Sequence, residues 1–248
     1  MEPPGEPSET SQNPARTDAS VRYDPHVSPA ARPAVSPPLR APAADPLRTR
    51  ILGAAAEIFG REGYRNTDLQ DVADVLAIGK GSVYRRFPSK RELFLATVDD
   101  GMRRLKGCVD VAIADVDDPL ERLASAVRAY LAFFDAEPRL AELVILERAE
   151  FRDRKKSTYF EHREVNVGRW RALYARLMDE KRVRRMPIDR ITDVISNLVY
   201  GTMFTNHFAG RTKSFEEQAA DILDVVFHGI LTRPKASRRS PKRRKERV

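Results

Sequence analysis

Between Gly79 and Arg91 the chain carries five basic side chains, Lys80, Arg85, Arg86, Lys90 and Arg91, and no acid. The hydroxyls of Ser82 and Tyr84 lie among them, and Gly79 and Gly81 remove bulk at the start of the run. This set is poorly suited to making or breaking bonds and well suited to holding a polyanion. Small residues let the backbone approach closely, and a free helix N-terminus favours an anion. Arginine pairs bidentately with phosphate or with guanine O6 and N7. Whole-chain charge is a poorer guide. The 248 residues include 44 Lys/Arg against 36 Asp/Glu, a net charge of +8. Segment 233–248 alone holds nine of the basics and one acid, so the remainder balances at 35 of each.

Other reactive sets do not assemble in the sequence. Glu161-His162-Arg163-Glu164 lacks the paired histidines of a zinc-binding helix. His207 stands alone near an expected helix end, where a dipole or packing role suffices. Gly79-Lys80-Gly81-Ser82 lacks the spacing and the preceding strand of a phosphate-cradling loop. No Ser/His/Asp or Cys/His arrangement supplies a nucleophile with its base. The expectation is therefore no catalytic residue, no metal and no cofactor.

The elements that must position the basic run are helices. Leu47, Ile51, Leu52, Ala55, Ile58 and Phe59 share one face at helical spacing, with Gly63 as the expected stop. A short helix from about Asp68 to Leu76 follows, with Thr67 as expected N-cap and Gln70 three residues on. The break Ala77-Ile78-Gly79 leads to a third helix reaching about Phe87. Val83 and Phe87 face inward with Ile78, leaving Gly81, Ser82, Tyr84 and Arg85 on the opposite face. Two short helices across so tight a turn read as a helix-turn-helix. Pro88 ends the third helix, and Ser89 caps a fourth that runs to about residue 113.

Beyond it the spacing predicts helices over 118–136, 138–153, 156–182, 188–209 and 214–232, with breaks at Pro119, Pro138, Pro187 and Gly210. The last two carry broad apolar stripes. They are expected to form a four-helix bundle between two copies of the chain, through Ile191, Ile195, Leu198, Thr202, Leu223, Val226, Phe227 and Ile230. Residues 1–45, rich in Pro, Ala and Ser, read as a disordered arm, and 233–248 as a disordered basic tail. For the tail, a solubilising role and an extra, sequence-independent DNA contact both stand open. One cysteine, Cys108, permits no internal disulfide. No apolar run approaches a membrane span and no secretory signal is visible, so the cytoplasm is the default location.

The run from Thr67-Asp68-Leu69 through Gly79-Lys80-Gly81-Ser82-Val83-Tyr84 to Phe87-Pro88-Ser89-Lys90-Arg91-Glu92-Leu93 resembles the signature of the TetR/AcrR family of repressors. The likeness covers about 46–95. It departs in the turn, where Leu76-Ala77 stands for a frequent Ala-Gly and Gly79 for a common Ser cap. Asp68 also replaces a second Thr. The resemblance implies an all-α protein: a three-helix DNA-binding domain at 46–91 and a helical ligand-binding and dimerisation domain at 92–232. It implies phosphate contacts from Thr67, Gln70, Tyr84 and Lys90. Lys80, Ser82, Arg85 and Arg86 would lie over or beside bases, with Gly81 giving room. It further implies a sequence-specific regulator, a homodimeric repressor on a pseudo-palindromic operator in double-stranded DNA, released by a small-molecule effector. Tyr130, Phe134, Trp170 and Tyr174 are the expected pocket residues. Their rings suit an apolar effector, whereas Arg128, Arg148, Arg169 and Arg171 would suit an anion. Two rival readings are a non-specific nucleic-acid binder working through the tail and an enzyme on a helical fold.

Overall fold

The computed structural model describes residues 45–228, and these are all-helical. The expected arm before Asp45, the tail at 233–248 and Ile230 lie outside the described residues. The N-terminal trio is α1 (Pro46–Asn66), α2 (Leu69–Val75) and α3 (Lys80–Tyr84). Then come α4 (Lys90–Ile113), α5 (Pro119–Ala136), α6 (Pro138–Glu150), α7 (Thr158–Asp179), α8 (Ile188–Ala209) and α9 (Phe215–His228). None of these helices is long and apolar enough to cross a membrane.

Caps explain most of the boundaries. Asp45 and Asp118 each precede a proline at the first helical position and accept from the next two free amides. Proline loses nothing there, because its missing N–H would be unpaired anyway. The Oγ of Ser89 accepts from the amide of Glu92 at 3.1 Å and starts α4. Several expected boundaries need correction, among them the ends of α6 at Glu150 and of α7 at Asp179, short of the expected 153 and 182. Gly63 bends α1 without ending it: its φ of 79° is open to a residue without Cβ, and the helix resumes to Asn66. Thr67 is not the cap of α2. Its hydroxyl donates to the Gly63 carbonyl at 2.8 Å, which ties it to the preceding helix. Asp68 is the cap instead, accepting from the Gln70 amide at 2.8 Å while its own amide donates to Asp71. The regular part of α3 also ends earlier than expected, at Tyr84, although the amide of Phe87 still donates to the Val83 carbonyl.

Two apolar clusters fill the fold. One runs from Ile51, Phe59, Leu69, Val72, Val83 and Phe87 along α4 into α5 and α6. The other joins Leu123, Val127, Tyr174, Leu177, Ile195 and Leu223 between α5, α7, α8 and α9. In α4, Gly101 admits Leu140 of α6; a Cβ there would lie 2.3 Å from Leu140 Cδ1.

The turn between α6 and α7 closes over a buried carboxylate. Glu147 is 1% exposed and accepts from both the amide and the hydroxyl of Thr158, at 2.9 and 3.0 Å. Arg154 donates to the same Oε1 atom and also reaches Glu161 at 2.8 Å. Burial pushes the Glu147 carboxyl above its ordinary range, against the pull of Thr158 and Arg154. Removing the carboxylate would strand the Thr158 amide and take from Arg154 its buried partner, leaving it only Glu161 and the Thr158 hydroxyl. Glu147→Ala should therefore destabilise the fold by about 3 kcal/mol, a fall in Tm of roughly 6–12 °C. Glu147→Gln, which keeps an acceptor, should cost less. Thermal melts followed by circular dichroism check both, and equal melts for Glu147→Ala and the parent would remove the corner from the account.

Candidate nucleic-acid interface and core cavity

The basic segment occupies one surface, but its members do different work. Lys80, Gly81, Tyr84 and Arg85 are exposed, and Ser82 is half-buried. Arg85 Nη2 donates to Ser82 Oγ at 3.2 Å, so its guanidinium lies along the outer face of α3. Lys80 sits 3.2 Å from Asp68 Oδ1 and 5.6 Å from the Tyr84 ring centroid. Hydrogen bonding from the Gln70 amide, then from Lys80, holds the Asp68 carboxyl below its ordinary range. An arriving phosphate would compete with Asp68 for this lysine. The side chain of Gln70 donates to Asp74 at 2.6 Å.

Three expected contact residues are committed inward. Thr67 is buried, with its hydroxyl on Gly63. Arg86 lies 2.7 Å from Asp45 and donates to the Ser82 carbonyl at 3.1 Å, tying the end of α3 to the cap of α1. Lys90 donates to the carbonyls of Arg65 and Thr67, at 3.1 and 2.9 Å, and sits 4.8 Å from the Tyr64 ring centroid. It therefore terminates α1. Cations suit the carbonyl end of a helix as well as they suit phosphate, and sequence spacing does not separate the two.

In the body, a cavity of about 160 Å³ lies between α4, α5, α7 and α8. Tyr130, Trp170 and Tyr174 line it, together with Met102, Tyr159 and Arg169. Phe134 does not. It faces a separate cavity of about 220 Å³ with Leu131, Met203 and His207. The Tyr130 and Tyr159 hydroxyls pair at 2.9 Å, and burial pushes the Tyr159 phenol up to about 12. The α4 residues at the cavity were not foreseen, since their spacing is that of ordinary core. Of the other arginines weighed for an anion, Arg128 pairs with Glu121, and Arg171 with Asp189 at 2.6 Å.

On the outside of α8, Val194, Leu198 and Phe208 are exposed, as is Val225 on α9. Ile195 and Leu223 belong to the chain's own core, so they cannot also form an outer seam. Ile191, Thr202, Val226 and Phe227 are half-buried.

This arrangement defines a helix-turn-helix module carried on an all-helical body. Residues 51–97 match the model of the bacterial regulatory proteins of the tetR family. The transcriptional activator FasR of Mycolicibacterium smegmatis is 31% identical over 100 residues, 40% of this chain and 46% of FasR. The chain thus spans less than half of that relative. The solved structure of FadR from Bacillus subtilis, in complex with stearoyl-CoA, superposes with a TM-score of 0.63 at 15% identity, covering 74% of this chain and 99% of FadR. A transcriptional regulator from Saccharomonospora viridis, in complex with choline, superposes at 0.62 with 22% identity, covering 75% and 98%. Over residues 51–97 the chain is thus similar to the TetR family, and the solved structures share its all-helical fold.

The turn offers a test of local strain. Ala77 sits at φ 52°, left-handed backbone that costs a residue with a Cβ about 1–2 kcal/mol. Ala77→Gly should stabilise the protein by about 1 kcal/mol after the entropy cost of glycine in the unfolded chain, raising Tm by roughly 2–4 °C. A lower Tm would show that the turn is relaxed as it stands.

Proposed function

We propose that this chain is a DNA-binding transcriptional regulator. It acts as a homodimer on a pseudo-palindromic operator and is released by a small molecule. The observation that carries the reading is the outer face of α3. Gly81, Tyr84 and Arg85 are exposed there, while Arg86 and Val83 fix the segment from behind. Arg85 is the base reader, and Lys80, Ser82, Tyr84 and Gln70 hold register on phosphates. Arg86, Lys90 and Thr67 are positioning residues.

One recognition segment makes few base contacts, so two are needed, one or more helical turns apart. Val194, Leu198, Gly201, Thr205 and Phe208 recur at intervals of four and three on α8, which makes this outer stripe the dimer seam with Val225 beside it. We divide the chain into a DNA-binding unit at 46–91 and an effector and dimer unit from 92 onward. FadR bound to stearoyl-CoA and the S. viridis regulator bound to choline support a small-molecule effector. Repression is the reading adopted. The same docking serves activation, the role that FasR's name carries.

Two variants test the division of labour. Arg85→Ala should weaken binding to the preferred duplex by about 1–3 kcal/mol per recognition segment with Tm unchanged. Leu198→Glu should yield monomers by light scattering and lose operator binding. Full affinity in the first variant, or dimers in the second, would contradict the proposal.

A further inference from the structure

The core cavity has a chemical asymmetry that points to its occupant. Its body is apolar: Met102, Val127, Ile195 and the rings of Tyr130, Trp170 and Tyr174 surround it. Its charged lining is basic throughout, with Lys106, Arg163 and Arg169 and no acid among the lining residues. Two carboxylates stand behind these cations. Asp110 is shared between Lys106 and Arg169, and Asp193 lies 2.6 Å from Arg163. Three cations against two acids leave one positive charge uncompensated. His162 Nε2 lies 2.7 Å from Asp99, which is itself paired with Arg103 at 3.0 Å. The Nε–H groups of Arg163 and Arg169 are buried and unpartnered, which costs free energy until an acceptor arrives. The volume, about 160 Å³, is close to that of an engineered apolar cavity of about 150 Å³ that takes up benzene.

We infer that this cavity takes a compact apolar monoanion: a carboxylate whose body is about one aromatic ring or a short alkyl chain. The carboxylate lies toward Arg163 and Arg169, and the body lies among Tyr130, Trp170 and Tyr174. A cation would meet the uncompensated positive charge, and a neutral molecule would leave that charge unbalanced. The inference names the effector class of the regulator proposed above and rests on that reading.

Trp170 is the only tryptophan in the chain, lines the cavity and lies 4.8 Å from the Arg169 guanidinium. Its emission therefore reports occupancy directly in the full-length protein. Phenylacetate should change that emission saturably, with a Kd about ten-fold or more below that of phenylacetamide or phenethylammonium. Decanoate should bind no more tightly than hexanoate. Arg169→Met should weaken phenylacetate about ten-fold while leaving phenylacetamide unchanged, and Arg163→Met should repeat the pattern. Equal weakening of acid and amide would mean a packing role only and would overturn the assignment. So would equal binding of amide and acid, or no saturable change with either. Operator binding measured on the same preparation is independent of these results, so the regulator reading survives such an outcome or fails separately.

Discussion

Tyr64 is the hinge pin on which the arrangement depends. Its ring meets Phe94 of α4 at 5.3 Å and Phe151, just past α6, at 4.9 Å, both edge-on, and stacks on Phe59 at 6.0 Å. Edge-to-face rings are worth about 0.5–1.5 kcal/mol per pair beyond their burial, and their geometry is directional. Gly63 bends the chain immediately before this ring, and Lys90 covers it from outside. Arg91 lies 4.8 Å from the Phe151 ring and 2.6 Å from Asp153, while Arg65 reaches Glu150 at 3.0 Å. Several links between the N-terminal helices and the body thus converge on one joint. Two recognition segments can match two grooves only if that joint holds a fixed angle.

α4 carries the joint to the cavity. Phe94 sits in the aromatic cluster near its N-terminal end, while Met102, Leu105 and Val109 line the cavity further along. Leu140 seated in the gap at Gly101 keeps α6 close to the same helix. In the regulator proposed here, an effector shifts the population of recognition-helix spacings only by its differential affinity for the two states. A rigid helix with one end in each site is a physical means of supplying that difference. The buried Glu147–Arg154–Thr158 corner fixes the first turn of α7, next to cavity-lining Tyr159.

The helical pattern and the prolines made the fold legible. Pro119, Pro138 and Pro187 mark helix starts within a residue, because proline tolerates only that position and because the residue before it avoids helical backbone. The outer face of α3 was equally legible, since Val83 and Phe87 leave only one inward direction. The intrachain bonds of Arg86 and Lys90 were not. Arg86 and Lys90 look like their exposed neighbours until Asp45, 41 residues away, and the end of α1 come into place. Thr67 and Asp68 are both good caps, and only the bend at Gly63 decides between them. Ile195 and Leu223 sit in stripes too wide to say which edge faces the chain's own core. Phe134 faces the second cavity and not the first, a choice between neighbouring cavities that no local period encodes.

The central claim is that the α3 surface reads DNA sequence in pairs. Selection of bound sequences from a random duplex library, with the full-length protein at near-physiological salt, tests it most directly. The account predicts enrichment of a two-fold pseudo-palindrome whose half-sites are spaced by the geometry of the dimer. Absence of enrichment, with binding that disappears as salt rises, would place the affinity in unspecific phosphate contact and contradict it.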